Sequence, residues 1–363
     1  MRKLTVIHLV ATDISACQGD ALAVLCAEPG PLHHALVQTG HGPRHIGSQP
    51  PAIRIRSPLP YPGLQAMTAR RALRRSGLLD TGDDVIFHAW SMTAARGLGR
   101  LQAERPLLIE VESARELRDA VRWRDASATV FICSSIAVQR RLAAHGISPP
   151  RTVLVRRYAE APATSREARN LLRSRVQLGS DDFVISVLPP VTRQTGSIFA
   201  AWAAMLLEKV HPEVRLIVPG NGREGQRTHR LAESCRHAWL LRDAPPNWTL
   251  RELLAVADLN AYLPSADGPV TTLGWAMASG CPLMATDVPA VTELLAPGRN
   301  AWLCRPNDPK DTARRMLQAL EAPEQSRRQA ECARAEAAEL FGRDRMVAQY
   351  RELYERVGVG REV

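Results

Sequence analysis

The chain has 363 residues, of which 45% are hydrophobic and 23% are charged. That length is more than one hydrophobic core usually serves, so two domains are expected, and the composition allows a sizeable core to be buried. No apolar run approaches the roughly eighteen residues that a membrane-spanning helix needs. The seven cysteines form no CxxC pair, which gives neither a zinc framework nor a disulfide scaffold.

Basic residues exceed acidic residues, 47 Lys+Arg against 37 Asp+Glu, which leaves a formal net charge of +10. Such an excess favours phosphate-bearing partners: a nucleotide, a nucleic acid or an anionic lipid. The arginines are dispersed along predicted helices, where solvated faces are the plainer interpretation and a membrane-surface footprint is the alternative. The sequence has no aromatic–basic strip and no recognised nucleic-acid motif, so nucleic acid is not an expected partner.

The first thirteen residues, MRKLTVIHLVATD, place basic residues before an apolar stretch, as a secretion signal does. His8 interrupts that stretch, Asp13 ends it, and no convincing cleavage site follows, so a buried strand is predicted instead. Scattered cysteines fit a reducing compartment. We therefore expect a cytoplasmic protein, with peripheral contact at the inner face of an anionic membrane as a further option.

Short β-branched runs then alternate with amphipathic helical stretches, a pattern that predicts parallel sheets covered by helices. Residues 28–62 are rich in Pro, Gly and His and are predicted to form loops, with one edge strand as an option. The elements predicted in the first half are strands 4–10, 84–90, 106–112 and 128–135, and helices 64–76, 92–104, 114–123 and 137–145.

A domain boundary is predicted near 160–182, and the alternation then repeats. The elements predicted beyond it are strands 183–188, 214–220, 238–241, 259–264, 282–287 and 301–306, and helices 197–209, 223–236, 249–256, 270–279 and 308–321, followed by a long terminal helix. Ligands of open α/β sheets bind outside the carboxyl ends of the strands, which is where a site is expected.

One stretch at such a strand end, DGPVTTLGWAMASG from Asp267, has the layout of a phosphate site. A turn with Gly268 leads into a predicted helix, whose first amides, around Val270, Thr271 and Thr272, would be unpaired. Helix N-termini of this kind bind phosphate groups through free amides and the helix dipole. The plainer alternative is that Thr271 simply caps the helix.

Residues 257–309, which contain this stretch, resemble the donor-binding segment of the retaining glycosyltransferases of family four, which have the GT-B fold. Residues 214–234 and 346–357 resemble other elements of that family. The resemblance implies an α/β protein of two Rossmann-like domains with a cleft between them. The implied organisation is an acceptor domain at 1–165, a nucleotide-sugar domain at 166–345 and a terminal helix at 346–363 that crosses back to the first domain.

The resemblance also implies site residues. The family has two glutamates eight residues apart, one touching the transferred sugar and one holding the ribose hydroxyls, and they fall on Asp267 and Trp275. Aspartate keeps the charge with a shorter reach, so Asp267 would orient the sugar. Tryptophan has one N–H donor and accepts no hydroxyl hydrogen bond, so Trp275 would stack on the base or sugar, or close the pocket.

The family's basic pair, which stabilises charge on the diphosphate leaving group, falls on Pro190 and Thr195. Arg193 lies between them and is the candidate replacement, although an exposed loop arginine is the common alternative. Losing preorganised positive charge costs on the order of 10²–10³ in rate.

Three further positions in the second half are donor-site candidates by the same resemblance. Gly220 and Gly222 belong to a Gly-x-Gly turn that could seat a base or phosphate, although a tight strand-to-helix turn is the plainer interpretation. Glu293, with Asp287 before it, shapes the loop and helix behind the donor site, and a structural role in a first helical turn is expected for Glu293.

In the first half, the family's Gly-Gly acceptor loop is replaced by DISACQGDA, in which Gly19 is the only glycine. His88 follows a strand where the family often has a catalytic-site histidine, and a core histidine is an equal alternative. Glu112 falls where a second family histidine tends to sit. No Asp-x-Asp or metal-ligand cluster occurs, and His33 and His34 lie in a predicted loop, so neither a metal nor another cofactor is expected.

Together these features predict a glycosyltransferase-like protein that moves a sugar from a nucleoside-diphosphate sugar to a glycan or lipid-linked acceptor, with retention of configuration. The alternative is a non-catalytic GT-B module that binds a sugar, a nucleotide or a partner protein. Pro190, Thr195 and Trp275 favour that alternative, because three family positions have lost their chemistry together.

Overall fold

A computed structural model describes residues 4–11, 15–39, 53–55, 68, 71–77, 84–96, 105–113, 116–124, 126, 128–161, 164–219 and 222–358. The chain divides into two compact units. Unit 1 comprises Met1–Tyr158 and Arg343–Val363, and unit 2 comprises Ala159–Gly342. The terminal helix therefore belongs with the first half of the chain. None of the helices in the described ranges combines the length and apolar character needed to cross a membrane.

Unit 1 is built on a parallel sheet of seven strands in the order β3-β2-β1-β4-β5-β6-β7. The strands are β1 Leu4–Val10, β2 Leu32–Thr39, β3 Ile53–Ile55, β4 Asp84–Ala89, β5 Leu107–Val111, β6 Thr129–Cys133 and β7 Thr152–Leu154. β5 and β6 are buried at every position, as expected for strands covered by helices on both faces.

The helices of unit 1 are α1 Ala16–Ala27, α2 Met92–Arg96, α3 Leu117–Ala120, α4 Ile136–Ala144 and the terminal α13 Arg343–Gly358. Residues 71–75 are also helical. α1 begins at a capping box, in which Ser15 and Gln18 satisfy each other's backbone amides. α13 packs on β1 and β4, and its Gly358 lies against Leu4 so closely that a methyl group there would clash.

Two predictions in unit 1 are wrong. In the described part of segment 28–62, Leu32–Thr39 form the strand β2 rather than a loop, and Leu32–Gln38 pair with β1, with Thr5 opposite His33. The polar residues of β2 interrupt the apolar pattern by which strands are predicted from sequence. Gly19 is not in a loop either. It lies in the first turn of α1, where its amide donates to the Ser15 carbonyl.

Unit 2 contains a parallel sheet of six strands in the order β10-β9-β8-β11-β12-β13. The strands are β8 Phe183–Val187, β9 Val214–Pro219, β10 Leu241–Ala244, β11 Leu259–Tyr262, β12 Leu283–Thr286 and β13 Trp302–Cys304. The predicted strand at 238–241 is displaced, since Ala238–Leu240 form a 3₁₀ turn and β10 begins at Leu241.

The helices of unit 2 are α5 Arg166–Arg175, α6 Ser197–Leu207, α7 Arg223–Ser234, α8 Leu250–Val256, α9 Val270–Ala278, α10 Pro289–Thr292, α11 Pro309–Glu321 and α12 Pro323–Leu340. α9 is buried at all of its positions, and Gly274 is required there because a Cβ would collide with the Phe341 ring. α6 and α8 lie within two residues of their predicted bounds because each has a clear N-terminal signal, Gly196 and Thr249 respectively.

The loop after β8 is fixed to the turn after β11. Gly196, the residue before α6, has φ +71° and faces the Leu263 carbonyl oxygen so closely that any side chain there would clash. The neighbouring Gln194 carbonyl accepts from the Ser265 amide at 2.7 Å and from its hydroxyl at 3.2 Å. These contacts hold two carboxyl-edge loops of unit 2 side by side.

We predict that Gly196→Ala lowers the free energy of unfolding more than Gly298→Ala does. Both glycines have positive φ, but the space around Gly298 is open to beyond 4 Å, so alanine there meets only the backbone strain, about 1 kcal/mol. Alanine at 196 adds an overpacking cost of about 1–3 kcal/mol. Urea unfolding of both variants measures the difference. Equal costs would contradict the close approach to Leu263.

Candidate functional site

The candidate site is built from loops at the carboxyl ends of β8, β9 and β11 in unit 2. The loop after β8 contains the Pro189–Pro190 cis peptide bond and closes on Thr195. The Thr195 hydroxyl accepts from the Thr192 amide at 2.8 Å and donates to the Thr192 carbonyl at 2.9 Å. Neither Pro190 nor Thr195 supplies a cation, and the loop instead presents Arg193 as an exposed side chain.

The turn between β11 and α9 is held by one buried phenol. The Tyr262 hydroxyl donates to the Pro269 carbonyl at 2.9 Å, and burial raises the pKa of Tyr262. Gly268 lies beneath this hydroxyl, and a Cβ there would come within 3.2 Å of it. The phenol therefore fixes where α9 starts, and Gly268 has a packing reason for being glycine.

Among the residues that the structure describes, no side-chain cap is found at the N-terminus of α9. The N-cap position is Pro269, so the alternative in which Thr271 caps the helix is wrong. Pro269 has no side-chain acceptor to offer the first-turn amides of Val270, Thr271 and Thr272, and phosphate binding there stays a prediction. Thr271 is 3% exposed, and its hydroxyl has no hydrogen-bond partner within the described part of the chain. A buried donor of this kind calls for an acceptor, and a phosphate oxygen is one.

Asp267 lies two residues before the N-cap of α9 and is 4% exposed. Its Oδ1 accepts from the Ala290 amide of α10 at 2.9 Å. The carboxylate therefore ties the donor turn to the following helix. Asp267 is in place beside the α9 N-terminus, but with less freedom than a solvent-facing side chain.

Trp275 does not present its ring to an open pocket. It is 1% exposed, and the Arg251 guanidinium lies over it at 5.0 Å from the ring centroid. Of the two alternatives, stacking on a ligand or closing the pocket, the structure favours the second. The ring occupies its position by packing against α8, so the assignment of Trp275 to donor binding is not supported.

The remaining unit 2 candidates are distributed around this edge. Gly222 precedes α7 as its N-cap, and a Cβ there would make only ordinary contact with Val191 at 3.9 Å. Gly220 lies outside the described residues. Glu293 follows α10 as its C-cap, so its assignment to a first helical turn is wrong. Asp287 is exposed, and its amide donates to the Cys304 carbonyl at 3.0 Å.

In unit 1, His88 is fully buried in a hydrogen-bonded network, so the core alternative describes it. Its Nδ1 lies 2.8 Å from the Tyr354 hydroxyl and its Nε2 lies 3.3 Å from Glu110 Oε1. Burial lowers the pKa of His88 and the neighbouring Glu110 raises it. The effect of burial is the larger, so the pKa is lowered. An ionised Glu110 only accepts, so His88 Nε2–H donates to it and Nδ1 accepts from Tyr354.

Glu110 is the centre of this network. It is buried, accepts from the Tyr350 hydroxyl and from Arg157 Nη1 at 3.1 Å, and is joined by His88. Burial alone would raise the pKa of Glu110, but Arg157 and His88 outweigh it and the pKa is lowered. Arg157 also pairs with Glu112, which is thus an ion-pair partner rather than a substitute for a site histidine.

Sequence reasoning missed this network because its members are far apart in the chain. Tyr350 and Tyr354 are one turn apart on α13, a spacing that signals one shared helix face. Nothing in the sequence connects them to His88, which is 266 positions from Tyr354.

A neighbouring group, His8, Cys26 and His34, brings three ligand atoms within 4.8 Å of one another. The Trp90 Nε1–H donates to His8 Nδ1 at 3.1 Å, so His8 carries its proton on Nε2 and donates to His34 Nδ1 at 2.8 Å. Burial raises the pKa of Cys26 to about 11. In this hydrogen-bonded state His8 has no free imidazole nitrogen and Cys26 is a thiol, so a metal could bind only after the His8–His34 hydrogen bond broke and Cys26 lost its proton.

We predict that Trp275→Ala lowers the free energy of unfolding by about 3–5 kcal/mol, the usual cost of emptying a buried aromatic position. Trp202→Ala is the control, because Trp202 is 49% exposed on α6 and its loss should cost within about 0.5 kcal/mol. Urea unfolding compares the two. Similar costs would mean that Trp275 is not the packed ring described above.

We also predict that unit 1 loses stability as pH falls below about 6.5, the pKa of an unfolded histidine. Burial, then repulsion from His33 and His88, lowers the pKa of His34 to about 4. The unfolded chain therefore binds more protons between pH 6.5 and 4, and the free energy of unfolding decreases through that window. Urea unfolding at pH 7.5, 6 and 5 measures the slope.

The variant that tests this assignment is His34→Gln, which removes the titrating ring. Its unfolding free energy should depend less on pH than that of the wild type. His145→Gln is the control, because His145 is exposed at the end of α4 and outside the cluster. If His34→Gln kept the wild-type slope, the histidine cluster would not be the source of the acid sensitivity.

The family match falls on the part of the chain that contains the candidate site. Residues 188–322 match the family described as "Glycosyl transferases group 1". N-acetyl-alpha-D-glucosaminyl L-malate synthase of Bacillus anthracis is 33% identical over 103 residues, which is 28% of this chain and 27% of that protein. The chain thus aligns with about a quarter of the length of this curated relative.

Several solved structures match nearly the whole chain, and two of them illustrate the likeness. HepE of Anabaena, in complex with UDP and glucose, has a TM-score of 0.79 at 17% identity, covering 98% of this chain and 100% of that chain. Sucrose-phosphate synthase of Thermosynechococcus elongatus has a TM-score of 0.79 at 15% identity, covering 99% and 100%. Residues 188–322 thus match the group 1 glycosyltransferases, and the chain as a whole has the two-unit α/β fold of GT-B structures.

Proposed function

We propose that this protein transfers a sugar from a nucleoside-diphosphate sugar to a glycan or lipid-linked acceptor, with retention of configuration. The observation that carries the proposal is the uncapped N-terminus of α9, with the buried Thr271 hydroxyl unsatisfied by the described residues. This arrangement suits a diphosphate, and it lies within the segment that matches the glycosyltransferase family.

Each neighbouring group has a proposed part in the reaction. The amides of Val270–Thr272 and the threonine hydroxyls would bind the diphosphate oxygens. Asp267, held by Ala290, would present a fixed carboxylate to a hydroxyl of the transferred sugar. Arg193 would neutralise the negative charge that grows on the diphosphate as the glycosidic bond breaks.

The donor and the acceptor are also proposed by class. UDP-sugars are the first donors to test, because HepE was solved with UDP and glucose and a pneumococcal O-GlcNAc transferase with UDP and GlcNAc. We expect no divalent ion to be needed, because Arg193 and the helix N-terminus can balance the diphosphate charge. Unit 1 would hold the acceptor, which is a glycan or a lipid-linked sugar. Contact with an anionic membrane would follow from a lipid-linked acceptor and the net positive charge.

The first experiment measures thermal unfolding with UDP-, GDP- and ADP-sugars. A donor at a hundred times its dissociation constant should stabilise the protein by about 2.7 kcal/mol. Thr271→Val should weaken binding roughly 10- to 100-fold, since a hydrogen bond to a charged group contributes about 1.5–3 kcal/mol. Thr292→Val is the control, because that exposed hydroxyl bonds to the Pro289 carbonyl within its own helix. Stabilisation by no donor would contradict the proposal.

Catalysis is tested separately from binding. Asp267→Asn keeps an oxygen for the Ala290 amide but removes the charge, so nucleotide affinity should change little while release of free nucleoside diphosphate with acceptor falls at least 10-fold. Donor binding by the wild type without any turnover across a panel of acceptors would favour the non-catalytic module instead.

A further inference from the structure

Four arginines line one open groove on unit 2. The groove has a volume of about 540 Å³ and is lined by Arg193, Arg223, Glu224, Arg227 and Arg230. Arg193 comes from the loop after β8, and the other four residues come from α7. We call this feature the arginine groove. Arg223, Arg227 and Arg230 are spaced so that they share one side of the helix.

The charge of the arginine groove is largely uncompensated. Arg227 pairs with Glu224 at 2.9 Å. Within the described residues, Arg193, Arg223 and Arg230 have no carboxylate within ion-pair distance. Like charges at this helical spacing repel one another, so the arrangement disfavours the empty protein unless an anion enters.

Some other exposed arginines of unit 2 have carboxylate partners. These pairs are Arg299 with Glu336, Arg305 with Asp308, Arg314 with Asp311, and Arg327 with Glu324 and Glu331. In the arginine groove, one carboxylate serves a single arginine of the four, and the four side chains share one concave surface.

The arginine groove shares Arg193 with the candidate donor site. In the sheet order, β8 stands between β9, which leads to α7, and β11, which leads to α9. Neighbouring strands are about 4.8 Å apart, so the carboxyl ends of β9 and β11 are separated by roughly 10 Å. The loop with Arg193 fills that interval and is tied to Ser265 by hydrogen bonds.

We propose that the arginine groove binds the phosphates of the nucleoside diphosphate and supplies the positive charge that Pro190 and Thr195 do not. The ligand class rests on the proposed function. Arg223 and Arg230 are the residues newly assigned, with Arg193 completing the set from the neighbouring loop. Arginine suits this task because its guanidinium binds phosphate oxygens through two parallel donors and stays charged.

The test is isothermal titration of the full-length protein with UDP, uridine and inorganic pyrophosphate. We expect UDP and pyrophosphate to bind, uridine to bind far more weakly, and Arg223→Gln/Arg230→Gln to weaken UDP and pyrophosphate binding at least 10-fold. Arg328→Gln is the matched control, an exposed arginine on α12 that does not line the groove. An unchanged urea midpoint confirms that the double variant is folded.

The outcomes separate this inference from the proposed function. If UDP affinity falls in Thr271→Val but is unchanged in Arg223→Gln/Arg230→Gln, the groove inference is overturned while the proposed function stands. If UDP, GDP and ADP all fail to bind the wild type, the proposed function fails. Pyrophosphate binding then tests whether the arginine groove is an anion site. Pyrophosphate binding that is lost in the double variant supports an anion site, and binding that is absent or insensitive to the arginines overturns it.

Discussion

The candidate site depends on the close approach of two loops in unit 2, at Gly196 and Leu263. No residue with a side chain fits between the Gly196 Cα and the Leu263 carbonyl, so the loop after β8 and the turn after β11 cannot separate without losing that packing. The hydrogen bonds from Ser265 to Gln194 continue the contact. One consequence is that Arg193 and the start of α9 are positioned by the same few backbone atoms.

This constraint explains how the segment can differ from the family pattern and still be ordered. Tyr262 and Asp267 fix the donor turn through the Pro269 carbonyl and the Ala290 amide. Trp275 stands where the family pattern has a carboxylate. Its ring packs beneath Arg251 instead of offering a polar contact. The geometry of the helix N-terminus is thus kept by interactions that do not need the replaced residues, and the backbone amides that would bind a phosphate are unaffected by those changes.

Much of the fold could be predicted from the sequence, and the reasons are local. In unit 2, strands and helices alternate with clear turn and cap residues, so α6, α8 and β8 were predicted nearly at their observed bounds. β2 was missed because histidines and Gln38 interrupt its apolar pattern, and only pairing with β1 shows it to be a strand. Side-chain direction was not predictable at Trp275, because a helix-period pattern does not tell a ligand-facing ring from one packed on a neighbouring helix.

The buried charges of unit 1 are paired within the protein, whereas most arginines of the groove in unit 2 have no ion-pair partner among the described residues. In unit 1, the Glu110 carboxylate is buried and is bonded to Arg157, His88 and Tyr350. These bonds balance its charge and connect α13 to the sheet. A buried pair of this kind is costly to break and has no need of a ligand. In unit 2, the four arginines of the arginine groove are exposed and have one ion pair among the described residues, while the buried Thr271 hydroxyl has no hydrogen-bond partner among them. Each feature lacks a group rich in anionic oxygen atoms, which is what a diphosphate would supply.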